Sequence, residues 1–289
     1  MKKLLSVCFA LSLAALSLFG CGKTEIASTV YTFDTVPAYS DMPYVELNGN
    51  IPQFTNEQLK AESFERYSPL DSLGRCGEAF ACLSLDTMPT EERGAIGQIK
   101  PSGWQTVKYD IVDGKYLYNR CHLIGFQLSG ENANKENLIT GTRYMNTEGM
   151  LPFENLVAEY IEETHNHVLY RATPVYDGDN LVARGVVMEA QSVEDEGRGI
   201  CFNVYVYNAQ PGITINYKDG RSCLAGEEDT LSAPQGKEYI INENSKKIHL
   251  RDCSAVDGIK AENKREYTGN LQALLDMGYQ CCKMCNPLS

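Results

Sequence analysis

The single long apolar run of this chain lies at its N-terminus. Residues 1–21 begin with a methionine and two lysines, continue without charge from Leu4 to Gly20 and end at Cys21. A short basic start followed by such a run is typical of a signal peptide, which is removed before the mature protein folds. Because no comparable run follows, the sequence excludes a membrane protein with several spans. We expect the remaining residues to fold outside the cytoplasm.

The end of this segment also predicts a lipid anchor. Leu18-Phe19-Gly20-Cys21 resembles the bacterial lipoprotein signal, in which the cysteine is lipidated and becomes the first residue. The alternative is an uncleaved helical anchor, but the run from Leu4 to Gly20 is short for a span of about 20 residues. We therefore expect a membrane-anchored protein at the cell surface, or one that is secreted after release.

Composition narrows the class of protein further. A chain of 289 residues suggests one large domain or two smaller ones. Hydrophobic residues at 43% and charged residues at 22% exclude a largely disordered chain. The net charge of -12 argues against a basic protein that coats nucleic acid. It leaves open an enzyme with a locally positive groove.

Shifts in composition predict the domain boundaries. Residues 22–50 mix Thr, Ser, Pro, Asp and Gly without periodicity and are predicted to form a flexible tether. Residues 51–223 are predicted to form the main globular domain. Residues 224–238 are acidic with Pro and Gly, which is typical of a linker. Residues 239–289 form a Cys-rich module that is less acidic than the rest.

Two β-prone runs in the main domain flank a turn signal. Val107–Val112 and Lys115–Arg120 are separated by Asp113-Gly114. This dipeptide between alternating runs is a strong hairpin signal, so the two runs are predicted to pair with each other.

The following segments predict an α+β fold. Residues 167–170, 181–188 and 200–207 are β-prone and indicate an antiparallel meander. Between hairpin and meander, the apolar residues of Phe153–Glu163 have helical spacing, with Pro152 at a permitted first-turn position. We predict an antiparallel sheet with one main helix, followed by a small Cys-rich α+β module.

The residues after the hairpin suggest a chemistry. His122 directly follows a strand, and Asn146 lies further along the chain. A neutral imidazole can take a proton from water near neutral pH. A hard cation such as Mg²⁺, or Mn²⁺, prefers oxygen ligands, so an Asn carbonyl and phosphate oxygens would suit it. This combination fits metal-assisted hydrolysis of phosphodiesters.

The residues around His122 resemble a known motif. Asn119-Arg120-Cys121-His122 is similar to the DRGH motif of the DNA/RNA non-specific endonucleases, with Asn in place of Asp and Cys in place of Gly. The similarity extends over roughly 60–220 and is closest to secreted nucleases of Gram-positive bacteria. It implies a ββα-metal finger.

The resemblance also implies roles for individual residues. His122 matches the general base of the family, and Asn146 matches the asparagine that binds the metal. Glu154 matches a glutamate near the hydrated metal, and Arg120 matches an arginine that helps to bind phosphate. Pro152 lies between Asn146 and Glu154 and is predicted to break or kink the helix there.

The tail carries a second candidate site. His249 and Cys253 form one pair, and Cys282 and Cys285 form another, a spacing that is typical of zinc ligands. The tail resembles the Ada-like metal-binding module of several bacterial nucleases and DNA-uptake proteins. The alternative is a disulfide from Cys253 to Cys281, Cys282 or Cys285, which an oxidising exterior favours.

Together these features predict a surface-anchored, Mg²⁺-dependent endonuclease that acts on DNA and RNA. The alternative is a non-catalytic lipoprotein that binds nucleic acid at the cell surface. The sequence leaves the oligomeric state open.

Overall fold

The computed structural model describes residues 30–227, 237–269 and 271–287. The chain divides into a unit of residues 1–30 and a compact unit of residues 31–289. The predicted signal segment with Cys21, and most of the predicted acidic linker, lie outside the described residues. None of the described helices has the length and hydropathy needed to cross a membrane.

A six-stranded sheet forms the centre of the fold. Its strand order is β1-β8-β7-β6-β3-β2, and every neighbouring pair is antiparallel. The strands are β1 (Tyr44–Glu46), β2 (Phe64–Tyr67), β3 (Ala79–Leu83), β6 (Val168–Val175), β7 (Gly185–Ser192) and β8 (Cys201–Tyr207). The consecutive strands β6, β7 and β8 confirm the predicted meander.

A separate two-stranded ladder carries the candidate site. Strand β4 (Tyr118–His122) pairs antiparallel with β5 (Leu138–Thr142), and His122 lies opposite Leu138. The connection between them contains the short helix α1 (Phe126–Ser129), and helix α2 (Leu151–Thr164) follows β5. This is the order of a ββα finger, in agreement with the predicted α+β class.

The predicted partner of β4 is wrong. The Asp113-Gly114 turn forms, but the runs around it share only an isolated bridge between Lys108 and Tyr116. Strand β5 is buried along its whole length, so pairing β4 with β5 removes more apolar surface from water than the local hairpin would.

The predicted tether at 22–50 is wrong at its C-terminal end. Residues 44–46 form β1, in which Val45 lies opposite Tyr205 of β8. Leu47 is buried beside Tyr205 and Tyr207. Burial of these side chains outweighs a composition that is typical of loops, so the globular domain begins before residue 51.

The two faces of the main sheet have different neighbours. Successive strand residues point to opposite faces. On β8, Val204 and Val206 therefore pack with the finger and α2 in the largest apolar cluster. Tyr205 and Tyr207 point to the other face and form a smaller cluster with Leu47. A short ladder of β9 (Ile213–Ile215) and β10 (Ser222–Leu224) follows.

The C-terminal module is a small α+β unit of its own. Its sheet has the order β13-β11-β12-β14, and β14 runs parallel to β12. The elements are β11 (Lys237–Asn242), β12 (Lys247–Leu250), β13 (Lys264–Gly269), α3 (Leu271–Asp276) and β14 (Gln280–Cys281). Its apolar core is small, with Tyr239, Ile241, Ile248, Leu274 and Tyr279 at the centre.

Candidate active site

His122 ends β4 with both ring nitrogens in contact with the protein. The side chain is only 6% exposed. Its Nε2 lies 2.9 Å from the backbone oxygen of Asn132, and its Nδ1 lies 3.4 Å from Nη2 of Arg93. A carbonyl only accepts and a guanidinium only donates, so Nε2 carries the proton and Nδ1 holds the free lone pair.

The surroundings of His122 keep its ring neutral. Burial lowers the pKa of His122, and the positive charge of Arg93 lowers it further. Together they outweigh the hydrogen bond to Asn132, which raises the pKa of His122. A neutral imidazole with an unprotonated Nδ1 is the form that a general base needs.

A buried asparagine fixes the turn that follows His122. The side-chain oxygen of Asn137 accepts a hydrogen bond from the N–H of Ile124 at 2.9 Å, and its side-chain nitrogen donates to the carbonyl of Ile124 at 3.0 Å. This pair of hydrogen bonds ties the end of β4 to the start of β5. No motif in the sequence marks Asn137 or Asn132. The only signal for them is the Asn-rich connection from Gly130 to Asn137.

Arg120 lies on the same face of β4 as His122 but points to a different partner. Its guanidinium donates to the carbonyls of Ile99 and Gly97, and it stacks over the ring of Trp104 at 4.0 Å. These contacts hold the loop that precedes β4. The cation beside His122 is Arg93. The sequence alone does not predict this role, because no local motif marks a residue so far before the motif of His122.

Asn146 lies in a π-helical turn, Met145–Met150, that leads directly into α2. The N–H of Leu151 bonds to the carbonyl of Asn146, which is the wide hydrogen-bond pattern of a π turn. Of the predicted break or kink at Pro152, the break is wrong, because the helical residues continue through this position. Pro152 occupies the first turn of α2, where its missing N–H and fixed φ are tolerated.

The π turn places Asn146 and Glu154 on one face. In a regular α-helix of about 3.6 residues per turn, two residues eight apart are offset by about 80° around the axis. A π turn contains about one residue more than an α turn, so one π turn and one α turn together span about eight residues. This is the spacing between Asn146 and Glu154. Helical side chains also lean towards the N-terminus, so Glu154 points back towards Asn146.

Glu154 is buried against the backbone that follows His122. A Cβ atom built on Gly125 would lie 2.7 Å from its Oε2, so any larger residue there would force the carboxyl group to shift. Burial raises the pKa of Glu154 to about 7, against the opposing effect of Arg93. Arg93 therefore acts electrostatically on both Glu154 and His122.

We expect Glu154→Gln to stabilise the metal-free protein at high pH. The folded-state pKa of about 7 exceeds the ordinary 4.5, so the stability that Glu154 contributes is complete below pH 4.5 and is lost as the pH rises through about 7. In EDTA at pH 8, the Gln variant should be about 3 kcal/mol more stable to urea, a difference that vanishes near pH 4.5. Glu159→Gln, at an exposed position of α2, is the control. Equal stability of parent and Gln variant at pH 8 would contradict the raised pKa.

The Cys in the motif fits because a glycine lies beside it. Cys121 is fully buried, and a Cβ atom on Gly141 of β5 would lie 2.4 Å from its Sγ. Burial raises the pKa of the Cys121 thiol, so it stays protonated and does not serve as a nucleophile.

The C-terminal module brings the four predicted ligands together. One ligand atom from each of His249, Cys253, Cys282 and Cys285 lies within 4.8 Å of all the others. Backbone N–H groups of Leu250 and Met284 donate to the sulfurs of Cys285 and Cys282, respectively, each at 3.4 Å. The nine cysteines from Cys76 to Cys285 are all free thiols in the described structure, so none of the alternative disulfides is present in it.

Comparison with known proteins agrees with this architecture. Residues 55–194 match the family described as DNA/RNA non-specific endonuclease. A deoxyribonuclease from Streptococcus dysgalactiae subsp. equisimilis is 34% identical to this chain, in a match that covers 68% of this chain and 77% of the relative. The chain belongs to the DNA/RNA non-specific endonuclease family. The nuclease therefore belongs among the phosphodiester hydrolases that cleave DNA.

Solved nucleases share the fold. The structure of NucA from Streptococcus agalactiae with a bound magnesium ion superposes with a TM-score of 0.57 at 23% identity, covering 67% of this chain and 93% of NucA. The Sda1 nuclease with a bound zinc ion has a TM-score of 0.50 at 31% identity, covering 56% of this chain and 81% of Sda1.

Proposed function

We propose that this nuclease is a Mg²⁺-dependent endonuclease, also active with Mn²⁺, that cleaves DNA and RNA. The observation that carries the proposal is His122, whose Nε2–H is fixed by Asn132 and whose Nδ1 is unprotonated and accepts from Arg93. This nitrogen faces Arg93, and Glu154 is buried nearby against Gly125. A neutral base, a cation and oxygen ligands are the groups that phosphodiester hydrolysis requires.

In the proposed mechanism, a substrate phosphate draws Arg93 away from Nδ1 of His122. The guanidinium then binds the phosphate, and Nδ1 becomes accessible to a water molecule. His122 accepts a proton from that water as the water oxygen bonds to phosphorus. The bond from phosphorus to the 3′ oxygen breaks, and the departing 3′ oxygen takes a proton from solvent water. The hydrogen bond from Nε2 to Asn132 holds the ring in place and stabilises its charged form.

The residues of the finger helix fit a hard cation. Asn146 offers an amide oxygen and Glu154 a carboxylate on the same helical face, and Mg²⁺ and Mn²⁺ prefer such oxygen ligands. The magnesium ion bound to NucA supports this assignment. When bound, the ion would neutralise charge on the phosphate and on the leaving oxygen.

Plasmid nicking tests the proposal directly. The soluble fragment 22–289 should nick supercoiled DNA and degrade RNA with Mg²⁺, and EDTA should stop both reactions. The alternative, a non-catalytic lipoprotein that binds nucleic acid, predicts binding without nicking under the same conditions.

We expect Asn146→Ala to weaken the response to the ion. Loss of one amide ligand should shift half-maximal activity to about 10-fold higher Mg²⁺ or more, because a changed metal-site residue typically costs 10- to 100-fold in affinity. A Mg²⁺ titration of the cleavage rate measures the shift. Asn155→Ala is the matched control. Asn155 is an exposed residue of the finger helix, and its side-chain amide accepts a hydrogen bond from Gln127. An unchanged titration for Asn146→Ala would contradict its role as a ligand.

We further propose that residues 239–289 form a metal-binding module in which His249, Cys253, Cys282 and Cys285 hold Zn²⁺. Three thiolates and one imidazole are a usual zinc ligand set, and zinc–ligand distances of about 2.0–2.3 Å suit atoms this close together. Such a site would compensate for the small apolar core of the module.

We also propose that Cys21 carries a lipid that anchors the nuclease to the outer face of the cell membrane. Lipoprotein maturation adds several acyl chains to the cysteine, and together these chains hold a protein at a membrane, whereas a single chain binds only weakly. Cys21→Ser removes the attachment point and should therefore release the protein into the soluble fraction. Membrane fractionation measures the change. A serine variant that still pellets with membranes would favour an uncleaved helical anchor instead.

A further inference from the structure

Two cavities of opposite character are linked to the two ends of the β4–β5 ladder. The first, here called the acidic groove, is lined by Gly94, Phe126 and Asn132, which adjoin Arg93 and His122. Its lining also contributes five carboxylate side chains and, among the described residues, no lysine or arginine. These carboxylates belong to Glu65, Asp86, Glu91, Glu92 and Glu131. Their charge repels a phosphate backbone and disfavours a substrate strand in this groove.

The second cavity, here called the aromatic pocket, lies where β8 ends, on the face of the sheet that holds Tyr205 and Tyr207. It has a volume of about 360 Å³, within the range of small-molecule sites. The lining residues that matter here are Phe33, Tyr39, Arg184, Tyr207, Gln210 and Tyr217.

Hydrogen bonds connect the aromatic pocket to the finger. The hydroxyl of Thr142, at the end of β5, donates to the carbonyl of Ala209 at 2.6 Å, and Ala209 lines the pocket. The N–H of Tyr144 donates to the side chain of Gln210 at 3.1 Å. Tyr144 lies two residues before Asn146, so the rim of the pocket adjoins the start of the finger helix.

The β4–β5 ladder gives the distance from His122 to the residue that bonds to the pocket. Thr142 lies opposite Tyr118, four residues from His122 along β4. At about 3.3 Å per strand residue, Thr142 is about 13 Å from His122 along the ladder, and the pocket lies beyond it. A stacked strand covers about 3.4 Å per nucleotide, so more than about four nucleotides are needed to reach the pocket.

We propose that the aromatic pocket binds an unpaired base of the substrate strand, on the side of the scissile phosphate that leads away from the acidic groove. The proposal rests on the proposed nuclease function. Phe33 is 37% exposed and Tyr39 is 38% exposed, so both rings present surface to a ligand. Tyr39 rests edge-on against Tyr207, with ring centroids 5.3 Å apart, which holds it in place. Bases stack on such rings regardless of sequence, as a non-specific nuclease requires.

The charges of the pocket favour a base over a phosphate. Arg184 is its one cation among the described lining residues, and its Nη2 donates to Asp177 at 2.8 Å. The same guanidinium lies 4.6 Å from the ring of Phe33 and 4.2 Å from that of Tyr217, between two aromatic neighbours. Burial raises the pKa of Tyr217 to about 12 and raises that of Tyr39, so both phenols stay neutral. The pocket therefore offers a mainly aromatic surface whose one cation is already paired with a carboxylate.

Tyr39→Ala tests the proposal in the full nuclease. For single-stranded DNA of about 12 nucleotides, KM should rise about 5- to 100-fold with kcat nearly unchanged, as expected when one stacked base is lost. For a strand of about three nucleotides, too short to reach the pocket, KM should not change. Tyr39→Phe keeps the ring and should restore the KM of the parent. Phe64→Ala is the matched control, because Phe64 is equally exposed at 37% but lines the acidic groove.

A second measurement separates this proposal from the proposed function. Fluorescence titration of a labelled 12-nucleotide strand in EDTA reports binding without cleavage. If the parent does not cleave but Tyr39→Ala still weakens binding, the proposed function fails and the pocket proposal stands. If folded Tyr39→Ala binds and cleaves the longer strand as the parent does, the proposal is overturned. It is also overturned if Tyr39→Ala changes only self-association in sedimentation, since the pocket would then be a protein interface.

Discussion

His122→Ala should lower the rate of DNA cleavage by about 10²- to 10⁴-fold, which is what loss of a general base typically costs. The nitrogen that accepts the proton is Nδ1, because Nε2 donates to the carbonyl of Asn132. The pKa of His122 lies below the ordinary 6.5, so the base is neutral at and above that pH. The acid limb of the pH profile of kcat/KM should therefore lie below pH 6.5. Plasmid nicking over a range of pH measures both effects.

Two controls keep this result specific to the base. His167→Ala removes a surface imidazole that pairs with Glu194, and it should cut at the rate of the parent. Added imidazole should partly restore cleavage by His122→Ala, because it fits the space that the side chain vacates. A merely destabilised variant would gain nothing from imidazole. Cleavage by His122→Ala at the rate of the parent would remove His122 from the mechanism.

The sequence predicted the ββα order of the finger, but not the way in which its residues meet. His122 and Asn146 follow from a local motif and its spacing. The strand that pairs with His122 cannot be predicted from the local motif, because the Asp113-Gly114 turn favours a nearby strand as the partner. The burial of β5 in the folded chain decides against that nearby strand. Pairing between distant segments depends on the whole core rather than on the residues at the turn.

The π turn shows the same limit at the scale of one helix. Pro152 predicts a break when only backbone propensity is considered. In the folded chain, one extra residue in the preceding turn accommodates it and also aligns Asn146 with Glu154. Arg93 reaches His122 only through the folding of a loop that carries no motif. Side chains that converge from separate loops leave no pattern in a single sequence.

Removal of zinc should unfold the C-terminal module and leave the nuclease domain folded. The module has a small apolar core, so the energy of a four-ligand zinc site would account for most of its stability. Structural zinc contributes about 10–16 kcal/mol in small metal-dependent peptides. We expect a strong zinc chelator, or Cys285→Ser, to abolish the thermal transition of the module while a second transition remains. Plasmid nicking with Mg²⁺ should continue, because none of the four ligands belongs to the finger.

Cys281→Ser is the matched control for this experiment. Cys281 is the immediate neighbour of Cys282 in the chain, but it is not one of the clustered ligands. Elemental analysis of the purified full chain should find one zinc ion per molecule in the parent and in Cys281→Ser, and a loss of that ion in Cys285→Ser. A disulfide at Cys253 would change this outcome, because a sulfur in a disulfide is no longer a thiolate ligand. The opposing outcome is a parent that contains no zinc, resists chelators and loses the thermal transition of the module under reducing conditions. That outcome would contradict the zinc site and show that a disulfide stabilises the module.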